Sequence, residues 1–200
     1  MRIAVFGGSF DPIHNGHIAL SQAFAEMLTL DRILVMPAYV SPFKQTKTGM
    51  ARPEQRLEMC RLAVQDQPRT EVCDMELRRE GPSYTAETLR ALSEQYPHSE
   101  LFLITGADAF MTLQDWKDPP TIFRLATLCT VPRRGVTVER LEQHAAVLQS
   151  FGAKTVVADI HVLTVSSTEI RACIRSGVPL TGLVPAAVEQ YIRDNELYLA

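Results

Sequence analysis

Residues 3–17 read IAVFGGSFDPIHNGH, a short apolar run that ends in two glycines and leads to a pair of histidines. Consecutive apolar residues predict a compact buried strand, and the glycines after it predict a turn in which the backbone can approach a ligand. Asn15 is a good helix N-cap, which places His17 in the first turn of the next helix. Because the N–H groups and the dipole of that turn favour an anion, the stretch predicts a phosphate site.

Short apolar runs and helical patterns alternate along the rest of the chain. Strands are predicted at residues 32–36, 72–77, 101–104, 127–131 and 155–158. Helices are predicted at residues 16–29, from Pro53 onward, and at 85–95, 138–149, 167–176 and 185–194. This alternation predicts an α/β fold, a Rossmann-like doubly wound parallel sheet with helices on both faces. We expect one domain over residues 1–200, with a C-terminal helical part at about 166–200 packed on it.

Composition excludes several classes of protein. The 200 residues are 46% hydrophobic and 22% charged, with a net charge of −3. This charge provides no general basic field, so we expect neither a nucleic acid nor an anionic membrane as partner. No apolar stretch approaches the roughly 18 residues of a membrane span. The cysteines are far apart and lack a CxxC pair, which predicts buried thiols in the cytoplasm: Cys60, Cys73, Cys129 and Cys173.

A second motif lies near the other end of the chain, where residues 165–171 read VSSTEIR. Ser166 and Glu169 fit a capping box, although an SxxE pattern starts many helices that bind nothing. Arg171 lies within two turns of the positive helix end, where a cation is mildly disfavoured. An anion between Arg171 and the helix amides would remove that conflict. The amides are flanked by two further hydroxyls, those of Ser167 and Thr168.

The two motifs together carry a family resemblance. Residues 8–17 match the GxFxPxHxGH pattern of the nucleotidyltransferase superfamily, and VSSTEIR resembles its ISSTxIR motif. Within that superfamily the chain is similar over essentially its whole length to the nicotinate-nucleotide adenylyltransferases. The similarity of the middle rests on GPSYT at 81–85, on GADAF at 106–110 with Trp116, and on RRG at 133–135. The shorter pantetheine-phosphate adenylyltransferases lack the GPSYT and Trp elements.

The resemblance implies an enzyme of NAD biosynthesis. It would transfer adenylyl from ATP to nicotinate mononucleotide, giving deamido-NAD and pyrophosphate, with Mg²⁺ carried on the ATP and no metal site of the protein's own. The implied catalytic residues are His14, His17, Lys44 and Arg171. The implied ATP-binding residues are Gly7, Gly8, Ser9, Phe10, Gly106, Asp108, Ser167 and Thr168. The implied nicotinate-nucleotide-binding residues are Asp11, Ser83, Tyr84, Thr85, Trp116 and Arg133.

Several of these residues have a second, purely structural interpretation. Trp116 could stack on a pyridine ring or pack in the core, and Asp108 could bind the ATP ribose or simply begin a helix. Lys44, on a predicted mobile loop at 41–54, could reach the triphosphate or remain solvated. The turn at 83–85 could offer N–H groups to the nicotinate carboxylate, which would distinguish the acid from the amide.

Two departures from the family pattern leave assignments open. Phe43 stands where a loop histidine is common, and Arg133-Arg134-Gly135 replaces RPG, so either arginine could serve the substrate. A non-catalytic nucleotide-binding module is the alternative outside enzymes, and another phosphorylated acceptor is the alternative within them. The sequence leaves the oligomeric state open, with a homodimer as one option.

Overall fold

The computed structural model describes residues 1–40, 49–79, 81–133, 135–160, 163 and 165–199. Six strands of this part of the chain form one parallel sheet in the order β3-β2-β1-β4-β5-β6. The strands are β1 (Arg2–Gly8), β2 (Arg32–Pro37), β3 (Thr70–Val72), β4 (Glu100–Ile104), β5 (Ala126–Thr130) and β6 (Lys154–Val157). This order, with the chain reversing direction across the sheet beside β1, is that of a Rossmann-like fold. The predicted fold class is therefore confirmed.

Helices flank the sheet. They are α1 (Asn15–Met27), α2 (Pro53–Val64), α3 (Met75–Arg78), α4 (Thr85–Gln95), α5 (Ala107–Phe110), α6 (Pro119–Leu125), α7 (Val138–Ser150), α8 (Ser167–Arg175) and α9 (Ala186–Asp194), with a 3-10 turn at Leu113–Asp115. None of the helices in the described ranges is both long and apolar enough to cross a bilayer.

The central strands are buried along most of their length. In β1 residues 3–6 are buried, and in β4 residues 101–104 are buried. Continuous apolar runs of this kind are expected where both faces of a parallel sheet are covered by helices. The register pairs Phe6 with Ile104, the last residue of β4, so Gly7 in β1 and Gly106 after β4 lie at the same edge of the sheet.

One predicted strand is wrong over most of its length. Residues 72–77 were predicted as a strand, whereas β3 ends at Val72 and Met75–Arg78 form the short helix α3. Met, Glu, Leu and Arg are all good helix formers, and Asp74 precedes them and pairs with Arg78 at 3.0 Å. The short helices α3, α5 and α6 have too few turns to produce a periodic apolar pattern. Lys44 and residues 41–48 of the predicted loop lie outside the described residues.

Contacts divide the chain into two compact units. Unit 1 contains Met1–Gly7, Ala23–Leu34 and Tyr84–His161, and unit 2 contains Gly8–Gln22, Val35–Ser83 and Val162–Ala200. Within unit 2, α9 of the C-terminal part packs against α2. A single domain over the whole chain stays a prediction.

Candidate active site

In unit 2, two histidines cap the helix that follows the first strand. Helix α1 begins at Asn15, so His14 occupies the N-cap position and His17 the third helical position. The His17 N–H donates to Nδ1 of His14, and the His14 N–H donates to Nδ1 of His17, both at 3.2 Å. This is the reciprocal pattern of a capping box. The prediction of Asn15 as the cap is wrong by one residue, because its side chain donates instead to the Gly182 carbonyl at 2.9 Å.

The reciprocal bonds decide the tautomer of both rings. Since each Nδ1 of His14 and His17 accepts a hydrogen bond, each neutral imidazole carries its proton on Nε2. The rings are stacked, with centroids 3.5 Å apart and planes inclined by 19°. The edge of the Phe10 ring packs against His17 at 5.1 Å. Two parallel imidazoles with Nε2–H donors are suited to binding the oxygens of an anion.

Two glycines of this turn are closely packed, and at Gly16 the nearest contact is with backbone, so glycine is required there. A Cβ on Gly16 would lie 2.6 Å from the carbonyl oxygen of Leu163 and 3.1 Å from His14 Nδ1. A Cβ on Gly8 would lie 3.0 Å from the Phe10 ring. A Cβ on Gly7, by contrast, would meet no atom within 4 Å, so the space beside Gly7 can admit a ligand.

The second motif caps helix α8 as predicted. Ser166 Oγ accepts from the Glu169 N–H at 3.1 Å, and Glu169 Oε2 accepts from the Ser166 N–H at 2.8 Å, which confirms the capping box. Ser167 Oγ donates to the Pro12 carbonyl at 2.9 Å. This bond joins residues 155 positions apart in sequence, and it brings the VSSTEIR motif into contact with the first turn.

Arg171 makes the second connection between the two motifs. Its Nη1 donates to the backbone carbonyl of Asp11 at 2.5 Å and lies 3.6 Å from Asp11 Oδ2. Its Nη2 donates to Thr168 Oγ1 at 3.3 Å. The negative group beside Arg171 is thus an internal carboxylate. The Arg171 side chain remains 19% exposed, so part of the guanidinium can still contact a ligand.

Asp11 itself is buried within unit 2 and is 3% exposed. Its Oδ1 accepts from the Ala51 N–H at 3.0 Å and from the Tyr198 hydroxyl at 2.7 Å. Asp11 was predicted to contact the nicotinate nucleotide, and this contact stays a prediction. The structure adds a role in which the carboxylate joins three segments of the unit.

Arg56 is a buried neighbour of the first turn that the sequence analysis missed. This buried side chain donates from Nη1 to the Ser9 carbonyl at 2.7 Å and from Nη2 to the Tyr39 carbonyl at 3.0 Å. Burial lowers the pKa of the Arg56 guanidinium, and the charge of Asp11 opposes that shift. A sequence signal for its burial does exist. Arg56 precedes the buried Met59 by three residues and the buried Cys60 by four, a spacing that places all three on the inner face of α2.

Replacing Arg56 should destabilise the protein. Arg56→Met would leave the half-buried Ser9 and Tyr39 without the donor to their carbonyls, at a cost of about 2–5 kcal/mol of unfolding free energy. Arg61→Met is the matched control, since Arg61 lies on the same helix with a side chain 54% exposed, and we expect a change within about 0.5 kcal/mol. Urea denaturation of both variants measures the difference, and equal midpoints would contradict a supporting role for Arg56.

In unit 1, Gly106 and Asp108 follow strand β4. Gly106 is the N-cap residue of α5, and a Cβ placed on it would meet no atom within 4 Å. Asp108 is exposed in the first turn of α5. Because Phe6 pairs with Ile104, Gly7 near the end of β1 and Gly106 just after β4 lie at the same edge of the sheet, each with space beside its backbone.

The predicted nicotinate-binding residues of unit 1 lie near the start of α4 and beside the 3-10 turn. Tyr84 is the N-cap residue of α4 and makes no side-chain cap, so the first N–H groups from Thr85 onward are suited to an anion. Lys117 Nζ lies 3.8 Å from the Tyr84 ring centroid and 2.9 Å from Glu87 Oε1. Trp116 is half-buried, and its Nε1 donates to Thr112 Oγ1 at 3.3 Å.

Two other predicted residues make backbone or internal contacts. Ser83, in unit 2, accepts from the Tyr39 N–H through Oγ at 3.0 Å. Arg133 is exposed, and its backbone exchanges hydrogen bonds with Val136. Arg134 lies outside the described residues, so which arginine serves the substrate stays open.

The cysteines are free thiols. Burial raises the pKa of Cys129 to about 12, and it also raises that of Cys60. The prediction of buried cysteines is right for these two residues, whereas Cys73 and Cys173 are half-buried. In the part of the chain that the structure describes, no three His, Cys, Asp or Glu side chains converge on a possible metal position.

The chain resembles known proteins over its full length. The profile of the cytidylyltransferase-like family matches residues 5–173. A protein of Thermus thermophilus is 42% identical over 198 residues, covering 99% of this chain and 100% of its own length. One of Corynebacterium kroppenstedtii is 38% identical over 198 residues, covering 99% and 91%, and both are named "Probable nicotinate-nucleotide adenylyltransferase".

A solved structure shares the fold. Plasmodium falciparum nicotinic acid mononucleotide adenylyltransferase, complexed with NaAD, superposes with a TM-score of 0.81 at 17% identity, covering 98% of this chain and 97% of that chain. Sequence and fold thus confirm the resemblance inferred from the motifs: the chain belongs to the cytidylyltransferase-like family and, within it, to the nicotinate-nucleotide adenylyltransferases.

Proposed function

We propose that the chain transfers the adenylyl group of ATP to nicotinate mononucleotide, giving deamido-NAD and pyrophosphate. The observation that carries this proposal is the paired His14 and His17 cap, together with the hydrogen bond from Arg171 of the second motif to the Asp11 carbonyl of the same turn. A phosphate oxygen of the nucleotide attacks the α-phosphorus of ATP, and the bond to the pyrophosphate leaving group breaks. With a second pKa near 6, that phosphate is largely ionised at neutral pH and needs no general base.

The protein's contribution is position and charge. The Nε2–H groups of His14 and His17 donate to phosphoryl oxygens on which negative charge develops, and Arg171 adds a cation. Lys44 is proposed to reach the triphosphate. The backbone of the turn from Gly7 to Phe10, with the amides at Ser167 and Thr168, holds ATP phosphates. Gly106 admits the nucleotide beside its backbone, and the exposed Asp108 accepts from the ribose hydroxyls.

We propose Mg²⁺ as the ion that accompanies ATP. Asp11 is committed to Tyr198 and Ala51, and the described residues form no carboxylate cage. This donor set fits an ion held by triphosphate oxygens and water, the coordination Mg²⁺ commonly keeps. When bound, the ion would neutralise charge on the triphosphate. The free thiols agree with the proposed location in the cytoplasm, a reducing compartment.

Recognition of the acid is proposed for unit 1 and Ser83. The N–H groups of Tyr84 and Thr85 donate to the nicotinate carboxylate, and the Trp116 indole stacks on the pyridine ring. Lys117 adds a positive charge beside Tyr84. Ser83 supports the turn through its bond to Tyr39. Arg133 is proposed to add a further positive charge for the nicotinate nucleotide, and Asp11 is proposed as a further contact of that nucleotide.

This pocket should prefer nicotinate mononucleotide to its amide. The amide lacks the charge and points its own NH₂ toward N–H donors, and each buried group left unpaired costs about 1–3 kcal/mol. We expect a kcat/KM ratio of about 10–10³ in favour of the acid. Trp116→Ala should weaken the binding of both nucleotides. It should preserve much of the kcat/KM ratio between them, since stacking does not involve the carboxylate. Pyrophosphate-release kinetics with both nucleotides measure the ratio, and equal values in the wild type would refute the assigned pocket.

A further inference from the structure

The C-terminal segment after α9 returns to the first motif. Glu196 and Tyr198 have φ values of 50° and 66°, a left-handed conformation that is uncommon for residues other than glycine. The Tyr198 side chain is buried, at 6% exposure, and its hydroxyl donates to Asp11 Oδ1 at 2.7 Å. Segments 187 residues apart in sequence therefore meet at one carboxylate.

The geometry around Asp11 separates two kinds of contact. Oδ1 takes both donors, from Tyr198 and Ala51, while Oδ2 is buried and has no hydrogen-bond partner among the described residues. Arg171 Nη1 lies 3.6 Å from Oδ2, beyond hydrogen-bond distance, and donates instead to the Asp11 backbone carbonyl. The guanidinium is thus paired electrostatically with the carboxylate without a hydrogen bond to it.

We propose that Tyr198 is a positioning residue for adenylyl transfer: by donating to Oδ1 of Asp11 it holds the carboxylate with Oδ2 beyond hydrogen-bond distance of Arg171, and so keeps the Arg171 guanidinium available to phosphate. The inference rests on the proposed function for its catalytic consequence. Without the phenolic donor, Oδ1 keeps one partner, and the less restrained carboxylate turns and forms a direct, charge-assisted hydrogen bond with Arg171. An arginine turned toward Asp11 contacts the phosphate less well, and the reaction slows.

The charge state of Tyr198 agrees with this role. Burial, followed by the negative charge of Asp11, raises the pKa of the phenol above its ordinary value. The hydroxyl therefore keeps its proton and remains a donor at neutral pH.

Tyr198→Phe tests the proposal because it removes only the hydroxyl. We expect kcat for pyrophosphate release to fall about tenfold, the effect of losing one charge-assisted hydrogen bond, with each KM changed less than about twofold. Tyr191→Phe is the matched control, a half-buried tyrosine on α9 outside this network, and should keep wild-type kcat. Wild-type kcat in Tyr198→Phe would overturn the proposal.

A second measurement does not depend on turnover. The Arg171 Nε–H resonance in a ¹⁵N–¹H spectrum, assigned by its loss in Arg171→Lys, should move in Tyr198→Phe and stay in place in Tyr191→Phe. An unmoved resonance would overturn the link between Tyr198 and Arg171. If Tyr198→Phe does not fold, Asp11→Asn, which keeps an acceptor but removes the charge, should move the same resonance. Inactivity of the wild type toward nicotinate mononucleotide would refute the proposed function and leave this structural test intact.

Discussion

His17→Ala is expected to lower kcat by about 10²–10³-fold at saturating substrates. That is the scale for removing one preorganised donor to a developing oxyanion. The substitution removes the Nε2–H donor, and it also removes the Nδ1 acceptor for the His14 N–H, so the stacked partner loses part of its support. Steady-state pyrophosphate release, with the fold checked by circular dichroism, measures the loss.

Two further variants separate these contributions. In His17→Asn, the asparagine side chain can still accept a hydrogen bond from the His14 N–H, so this variant tests the loss of the imidazole alone. Its kcat should remain at least about 10²-fold below that of the wild type. His98→Ala removes an exposed histidine of unit 1 and should leave kcat unchanged. A folded His17→Ala variant with kcat near that of His98→Ala would exclude a catalytic role for His17.

Gly16→Ala is expected to reduce kcat/KM by about 10²-fold or more. The added Cβ would lie 2.6 Å from the Leu163 carbonyl and 3.1 Å from His14 Nδ1, and a backbone atom cannot move aside as a flexible side chain can. The start of α1 must shift, and displacement of catalytic groups by about 1 Å can cost 10²-fold in rate. Pyrophosphate-release kinetics and thermal unfolding are measured on the same sample.

Gly177→Ala is the control for the effect of replacing a glycine by alanine away from the candidate site. Gly177 has a φ of 67° but open space around a would-be Cβ. Alanine there should cost about 1–2 kcal/mol of stability and leave kcat unchanged. If Gly16→Ala and Gly177→Ala lose stability equally and neither loses activity, the packing at Gly16 has no bearing on the reaction.

The fold could be predicted because its main strands have local signals. The apolar runs at 3–6 and 101–104 are continuous, and both lie buried in the centre of the sheet. The predicted strand at 72–77 is wrong because the apolar residues of α3 lie in a single turn, too short to show helical spacing. The sequence predicts Asn15 as the cap because asparagine is a good N-cap residue, whereas the reciprocal histidine bonds depend on geometry that sequence does not reveal.

The sequence indicates residues of the candidate site only where they lie within a motif. His14, His17, Ser166 and Arg171 were all identified from local patterns with a physical role. Arg56 and Tyr198 were missed because their partners lie 47 and 187 residues away, at Ser9 and Asp11. Contacts of this range are produced by the topology and leave no periodic trace in the sequence.

The most direct test of the proposed reaction is one assay with purified protein, MgATP and three separate acceptors: nicotinate mononucleotide, nicotinamide mononucleotide and phosphopantetheine. Pyrophosphate and the adenylylated product are quantified together. We expect stoichiometric pyrophosphate and deamido-NAD with nicotinate mononucleotide, at a kcat/KM at least about tenfold above that for either other acceptor. Binding of ATP without pyrophosphate release from any acceptor would indicate a non-catalytic nucleotide-binding module, and a higher kcat/KM with phosphopantetheine would assign a different substrate; either result would contradict the proposed function.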